Sequence, residues 1–104
     1  MARKVIWTDP AVDDLESTVE FIAKDSPSYA AAFAQQICDA GDSLAESSER
    51  GHRLLDPELR HFRELFVGRY RVIYTVEPQS VTLHAVLHGS RDLSKALQGR
   101  AKPR

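Results

Sequence analysis

The sequence has one cysteine and no long apolar run, and both facts narrow the class of protein. Because Cys38 stands alone among 104 residues, no internal disulfide can form. No stretch approaches the roughly 18 apolar residues of a membrane-spanning helix, and the N-terminus lacks the apolar segment of a signal peptide. We therefore expect a cytoplasmic protein without membrane contact. A chain of this length is one domain with a single feasible core.

The sequence also lacks the residue clusters of common catalytic and metal sites. It contains neither a glycine-rich phosphate loop nor a serine-nucleophile elbow. His84 and His88 share a strand face, but at 3.3 Å per residue they lie about 13 Å apart, too far to clamp one zinc ion. No carboxylate or thiol cluster completes such a site. We therefore expect no metal and no other cofactor.

Charge is unevenly divided along the chain, although the total is close to neutral. Residues 1–49 carry 3 basic and 10 acidic side chains, a net charge of −7, whereas residues 50–104 carry 11 basic and 5 acidic ones, a net charge of +6. One interpretation is a solvated acidic helix surface beside a basic sheet edge. The other is that the basic half meets an acidic partner, either nucleic acid or an acidic protein segment.

Hydrophobic periodicity predicts a strand at residues 3–8 and then two helices. Asp9 followed by Pro10 is typical of an N-cap and a first helical residue, and Ser26 followed by Pro27 repeats this start signal. The first helix should end near Asp25. The second carries one stripe at helical spacing, which we expect to be buried: Tyr29, Phe33, Ile37, Ala40 and Leu44. Together the two helices predict an antiparallel hairpin.

The second half predicts a polar loop over 49–59 and then three strands, at about 60–66, 69–77 and 80–88. Turns at 67–69 and 77–80 join these strands into an antiparallel meander. In the last strand two sets of residues alternate and should therefore lie on opposite faces of the sheet. One set is Val81, Leu83, Ala85 and Leu87, and the other is Thr82, His84, Val86 and His88. Residues 92–97 predict a short helical turn. A single domain over 1–98 should be followed by a frayed basic tail over 99–104.

The element order is therefore β-α-α-β-β-β. It describes an α+β domain in which a helical hairpin packs on one face of a small, mostly antiparallel sheet. The first strand should join this sheet beside the last or the middle strand. The opposite sheet face, flanked by the basic loop and Arg91, is left open. Arg63 and Arg71 should lie close together across the strand pair that turns at Gly68, with Glu64 or Glu77 as ion-pair partners.

Over about residues 3–95 this organisation resembles the RelE/ParE superfamily of toxins from type II toxin–antitoxin systems. The resemblance rests on three segments in order: Trp7-Thr8-Asp9-Pro10-Ala11 with Asp14-Leu15; Arg63-Glu64-Leu65 leading to Tyr70-Arg71-Val72-Ile73-Tyr74; and Leu87-His88-Gly89-Ser90-Arg91-Asp92-Leu93. The Arg-Glu-Leu start and the His-Gly-Ser-Arg-Asp-Leu end resemble the ParE branch more than the RelE branch.

The resemblance implies one of two growth-inhibiting activities. RelE-like members cut messenger RNA inside the ribosome. ParE-like members are not nucleases; they poison DNA gyrase, and their modules are associated with plasmid stabilization. In both branches a small cognate antitoxin, ParD-like or similar, wraps the toxin with its C-terminal segment. Operator DNA is bound only through the antitoxin.

RelE-like nucleases resemble this chain at Arg71 and Arg91, two cations that could stabilise a phosphorane. Their two lysines correspond to Phe62 and Glu64 here, and their C-terminal tyrosine corresponds to a position near Leu97. The groups expected to transfer protons are therefore missing, and arginine, with a pKa above about 12, is a poor general base. His88, beside Arg91, is the first candidate for the proton-transfer group, and His61, next to Arg63, is the second. Otherwise His88 caps the strand end.

We therefore favour a ParE-like gyrase inhibitor without catalysis of its own. Its target- or antitoxin-binding surface is expected to include four arginines: Arg60, Arg63, Arg71 and Arg91. The alternative is a RelE-like, ribosome-dependent endoribonuclease that uses Arg71, Arg91 and His88. A third hypothesis is a degenerate toxin that retains only antitoxin binding.

Overall fold

A computed structural model describes residues 2–100 and has the predicted α+β architecture. Its elements are β1 (Lys4–Trp7), α1 (Asp9–Ala23), α2 (Pro27–Ser43), β2 (His52–Arg53), a 3₁₀ turn (Pro57–Leu59), β3 (Arg63–Val67), β4 (Tyr70–Val76), β5 (Ser80–His88) and α3 (Leu93–Ala96). Residues 101–104 of the predicted tail lie outside the described part. Within residues 2–100 no helix combines the length and the apolar character needed to cross a membrane.

The strands form one five-stranded sheet in the order β1-β5-β4-β3-β2. β1 lies parallel to β5, with Val5 opposite Val81, so the first strand joins the sheet beside the last one, as predicted. The meander of β3, β4 and β5 is antiparallel, and Gly68 adopts a positive φ of 59° in the tight turn between β3 and β4. The prediction of a polar loop over 49–59 is wrong in one part, because His52 and Arg53 form a two-residue strand that pairs with β3 at the edge of the sheet.

Both helices begin at side-chain caps, one of them a residue earlier than predicted. Thr8, not Asp9, is the N-cap of α1: its hydroxyl accepts the Ala11 N–H at 3.3 Å and donates to the Leu83 C=O at 3.0 Å. This second bond ties the start of the helix to β5, a contact that Asp9 cannot make from inside the helix. Ser26 caps α2 as predicted and accepts the Tyr29 N–H at 3.2 Å.

The helical hairpin covers one face of the sheet and forms the larger core. Its buried residues come from both layers: Ala11, Phe33, Ile37, Leu44, Val72, Tyr74, Val81, Leu83 and Val86. Tyr29 does not belong to the buried stripe, because it lies in the first turn of α2 and is 60% exposed. The buried position in that turn is Ala30, whose small side chain allows α2 to pack closely.

A β-bulge at His84 divides β5 between the two faces of the sheet. Tyr74 pairs with Leu83 and Ile73 pairs with Ala85, so His84 is an extra residue between them. The predicted single alternation along the strand is therefore wrong. Val81 and Leu83 face the helices, but Ala85 and Leu87 face the other side with Ile73, and Val86 replaces them in the helix-side core.

The sequence predicted an open second face of the sheet, but this face is covered. The segment before β3 contributes Leu54 and Phe62, and the C-terminal turn contributes Leu97. These side chains pack on three residues of the sheet and form a smaller core with them: Ile73, Ala85 and Leu87. Phe62 is 1% exposed and Leu97 is 2% exposed. The chain therefore builds a three-layer arrangement in which the sheet has apolar contacts on both sides.

The hydroxyl of the buried Tyr74 fastens the segment after α2 to the sheet. It donates to the Ser48 C=O at 2.9 Å and accepts the Gly51 N–H at 2.8 Å. Gly51 must approach this closely, since a Cβ at that position would lie 2.4 Å from the Glu64 carbonyl oxygen and 2.6 Å from the Tyr74 hydroxyl. Gly51 and Tyr74 thereby position β2 beside β3.

Replacing Tyr74 with phenylalanine should lower the free energy of unfolding by about 2–3 kcal/mol, because two buried backbone groups lose their partner while the ring still fills the core. Urea denaturation of Tyr74→Phe measures this loss. Tyr29→Phe is the matched control, and its exposed side chain predicts no measurable change. Equal stability of both variants would contradict the role of the hydroxyl.

The domain should become less stable at low pH because of His84. Burial lowers the pKa of its imidazole from 6.5, and the nearby Glu77 carboxylate only partly opposes this shift. Its Nε2 lies 2.9 Å from the Thr75 hydroxyl. The unfolded chain therefore binds the proton more tightly, so stability is full above pH 6.5 and decreases as the pH falls below it. In His84→Gln the loss of stability between about pH 6.5 and 5.5 should be smaller than in the wild type. His88→Gln, at an exposed position, is the control and should lose stability like the wild type. Urea denaturation at each pH measures the free energy of unfolding of the three proteins.

Candidate functional site

Arg71 lies near the start of β4 on the second sheet face, held by three different contacts. β4 places it opposite Phe66 of β3 and Leu87 of β5. Its guanidinium donates to the Glu64 carboxylate at 3.4 Å and to the Gly89 C=O, and it lies 5.6 Å from the centre of the Phe66 ring. Its Nε is buried and has no hydrogen-bond partner among the described residues. Arg71 is therefore half-buried and already paired within the chain.

Glu64 links Arg71 to a histidine that the sequence did not single out. The Glu64 side chain is 9% exposed, and its Oε1 lies 4.0 Å from His52 Nε2. His52 pairs directly with Glu64 across β2 and β3, and its ring stacks on Phe66 at 6.3 Å between centres. We call His52, Glu64, Phe66 and Arg71 the sheet cluster. The sequence had offered Glu64 as an ion-pair partner of Arg71, but it placed His52 in a polar loop and gave no signal for its pairing with Glu64.

Arg63 does not join this cluster, although the sequence had suggested that Arg63 and Arg71 lie close together. β3 pairs Arg63 with Tyr74, whose side chain faces the helices, whereas Arg71 faces the opposite side. The Arg63 guanidinium donates to the Gly51 C=O at 2.8 Å. Of the two predicted ion-pair partners, Glu64 pairs with Arg71, and Glu77 instead accepts from the hydroxyls of Ser80 and Thr82.

The other predicted site residues are exposed and lie apart from the sheet cluster. Arg60 follows the 3₁₀ turn and is exposed. Arg91 is exposed in the turn after β5 and lines a groove beside α1. His88 is exposed as well, and its Nδ1 accepts the Ser90 N–H at 3.1 Å. His88 thus caps the end of β5. Arg71 and Arg91, the two cations that the resemblance singled out, line different cavities.

The cavity that Arg71 lines has a volume of about 340 Å³ and a mixed surface. Its walls are leucines from the segment before β3 and from α3, and Leu55 is 90% exposed at its rim. Glu64, Asp56 and Asp92 give it three carboxylates against the single Arg71. The concave surface around the best-placed arginine is therefore acidic overall, which is unfavourable for a phosphate group.

The positions that hold lysines and a tyrosine in RelE-like nucleases are not available for proton transfer. Phe62 and Leu97 are buried in the smaller core, and Glu64 is the carboxylate that pairs with Arg71.

The single cysteine is a poor nucleophile. Burial raises the pKa of the Cys38 thiol, and Asp42 and Asp39 add to this shift, so the thiolate is disfavoured. Within residues 2–100 no three histidine, cysteine, aspartate or glutamate side chains are grouped so that they could hold a metal ion.

Comparison with known proteins identifies the family. A family model described as the ParE toxin of type II toxin–antitoxin system, parDE, matches residues 5–93. Among curated proteins, Toxin RelE2 of Caulobacter vibrioides is 35% identical over 88 residues, which cover 85% of this chain and 97% of that protein. The match to the family model extends over α1, α2 and the sheet cluster.

Two solved structures share the fold. The chromosomal ParDE toxin–antitoxin system from P. aeruginosa contains a chain that superposes with a TM-score of 0.70 at 17% identity, covering 84% of this chain and 96% of that chain. The toxin–antitoxin complex RelBE2 from Mycobacterium tuberculosis gives a TM-score of 0.62 at 23% identity, and the match covers 85% of this chain and 92% of that chain. The predicted α+β fold and the superfamily resemblance are confirmed. The chain belongs to the ParE toxins of type II toxin–antitoxin systems, within the RelE/ParE superfamily.

Proposed function

We propose that this toxin acts in the ParE manner: it inhibits DNA gyrase by binding to it and catalyses no reaction itself. The observation that carries the proposal is the ion pair between Arg71 and Glu64. A ribonuclease needs its cations free to stabilise the charge that develops on phosphate. Here Arg71 is neutralised by a carboxylate that is 9% exposed and would repel a phosphate at the same place.

The proposed target-binding surface is smaller than the four arginines that the sequence suggested. Arg63 and Arg71 are committed to contacts within the chain, with Gly51 and Glu64 respectively. Arg60 and Arg91 are exposed, and they are the two that remain suited to contact with another macromolecule. Exposed guanidinium groups steer association with an acidic surface and form bidentate bonds with its carboxylates.

We also propose that a cognate antitoxin, ParD-like or similar, neutralises the chain in the cytoplasm and that operator DNA is bound only through this antitoxin. Two of the fold's relatives support this partner, because their titles name a ParDE system and a RelBE2 toxin–antitoxin complex. The uneven charge of the chain supports it as well. A segment that wraps both halves meets a basic sheet side and an acidic helix side, and each can contribute to specificity.

An endoribonuclease remains the second candidate, and one specific observation favours it. His52 is 69% exposed and lies 4.0 Å from Glu64, which in turn contacts Arg71. A histidine that a carboxylate orients is a common general base. The similarity to a protein named Toxin RelE2 points in the same direction. The half-exposed Phe66 would then offer a ring on which a base can stack.

Purified protein should inhibit supercoiling by DNA gyrase and increase the amount of gyrase-cleaved DNA. Arg91→Ala should weaken this inhibition by roughly tenfold, the usual effect of removing an arginine anchor from a protein interface. Arg69→Ala, an exposed turn arginine, is the matched control and should inhibit like the wild type. Undiminished supercoiling at a large excess of wild-type protein would refute gyrase as the target.

Expression of the chain in bacteria should leave translated messages without codon-phased cuts, as judged by mapping of 5′ ends. If the chain is a nuclease instead, such cuts appear, and His52→Gln should reduce them by roughly 10²–10⁴-fold, the usual contribution of a general base. Arg69→Ala, at the exposed turn between β3 and β4, is the control and should not change the cuts. The same His52→Gln variant should retain gyrase inhibition under our proposal, so the two functions give opposite results for one substitution.

A further inference from the structure

Arg91 lies in a four-residue turn between β5 and α3, and we call residues 89–92 the Arg91 turn. Residues 90–92 are exposed, so little packing holds the turn in place. Two bonds to His88 shape it from within: the Ser90 N–H donates to His88 Nδ1 at 3.1 Å, and the Arg91 N–H donates to the His88 C=O at 3.0 Å. Because both bonds are local, they do not fix the position of the turn against the sheet.

The Arg91 turn is attached to the sheet at Gly89. The Gly89 N–H donates to the Arg69 C=O at 2.8 Å, and the Gly89 C=O accepts from the Arg71 guanidinium. The approach is close, since a Cβ on Gly89 would lie 3.1 Å from the Arg69 carbonyl oxygen. Both backbone groups of this one residue are therefore held by the β3–β4 turn and the start of β4.

Arg71 can hold Gly89 in place because its own guanidinium is fixed in direction. Its Nη1 donates to Glu64 Oε1 at 3.4 Å, the group lies 5.6 Å from the centre of the Phe66 ring, and its Nη2 donates to the Gly89 C=O. The Arg71 side chain is 16% exposed, so water competes weakly for these bonds. Arg71 therefore connects the sheet cluster to the Arg91 turn, although Arg71 and Arg91 line different cavities.

A lysine could not make this connection. The terminal nitrogens of a guanidinium diverge in a rigid plane, so one can donate to the Glu64 carboxylate while the other donates to Gly89. An ammonium group carries the same charge at a single point on a flexible stem. Arg71→Lys therefore keeps the charge beside Glu64 and removes the fixed bridge to Gly89. This substitution separates the electrostatic role of Arg71 from its geometric one.

We propose that Arg71 is a positioning residue, which holds the Arg91 turn through the Gly89 C=O and so presents the Arg91 guanidinium to the target. Arg91 forms no ion pair within residues 2–100, so the backbone of the turn sets where its side chain starts. A turn that is already held loses less conformational entropy when the target binds. The inference rests on the proposed function, because that function assigns the contact with gyrase to Arg91. The hold on the turn, in contrast, is a property of the free chain.

Backbone dynamics of the free protein test the hold on the turn without any target. In ¹⁵N-labelled full-length protein, the order parameters of the Ser90 and Arg91 amides should fall from about 0.85 in the wild type to below about 0.6 in Arg71→Lys. Arg69→Ala, which keeps the backbone C=O that binds Gly89, is the matched control and should leave them unchanged. Urea denaturation shows whether each variant remains folded.

Gly89→Ala tests the same attachment from the side of the turn and leaves Arg71 intact. Its Cβ forces the close contact with the Arg69 carbonyl oxygen to widen, so the order parameters of Ser90 and Arg91 should fall in this variant as well, by a smaller amount. Unchanged order parameters in folded Arg71→Lys, or in Gly89→Ala if Arg71→Lys does not fold, would overturn the proposal.

A double-mutant cycle tests whether Arg71 acts through Arg91. Arg71→Lys should weaken gyrase inhibition by roughly threefold to tenfold in the wild-type background, and by less than about twofold in the Arg91→Ala background. Effects that multiply would mean that Arg71 contacts the target itself, which contradicts a positioning role. If the wild-type protein leaves gyrase unaffected, the proposed target is wrong, and the order parameters alone decide whether Arg71 holds the turn.

Discussion

The structure depends above all on the extra residue at His84, because it lets one strand serve two cores. Before the bulge, Val81 and Leu83 pack under the helices; after it, Ala85 and Leu87 pack on the other side. With an uninterrupted alternation, the second half of β5 would bury the wrong side chains on both faces. The bulge also turns the Val86 N–H toward Asp14. The small core and the position of Leu87 beside Arg71 both follow from this single slip in register.

Much of the fold could be predicted because its signals are local. Ser26 with Pro27 marks the start of α2, the spacing of Phe33, Ile37 and Leu44 marks its buried side, and Gly68 marks the turn between β3 and β4. The errors concern contacts between distant residues. β2 is only two residues long and exists because Gly51 can approach Tyr74 and Glu64 closely. No pattern within residues 49–59 encodes that approach.

The candidate site was harder to predict because side chains on alternate strand positions are separated by the sheet. Arg63 and Arg71 look equivalent in the sequence, yet one bonds to Gly51 on the helix side and the other to Glu64 on the opposite side. His52 was missed for the complementary reason, since its pairing with Glu64 depends on β2. Resemblance to the superfamily identified Arg71 and Arg91 as residues of interest. The sequence had offered Glu64 or Glu77 as the ion-pair partner of Arg63 and Arg71; the three-dimensional arrangement pairs Glu64 with Arg71 and leaves Arg91 exposed.

The opposite charges of the two halves are largely left for contacts outside the chain. The ion pair between Asp14 and Arg100 connects the acidic half to the basic half, whereas the pairs that involve Glu64 lie within the basic half. Asp9, Asp13, Glu16 and Glu20 are exposed along α1, and Arg53, Arg60 and Arg91 are exposed around the sheet. If these charges served mainly to stabilise the domain, they would pair with each other across the hairpin and the sheet. Exposed pairs contribute little to stability in any case, whereas a divided surface potential steers a charged partner and fixes its orientation. The charge pattern is therefore better explained by recognition than by folding.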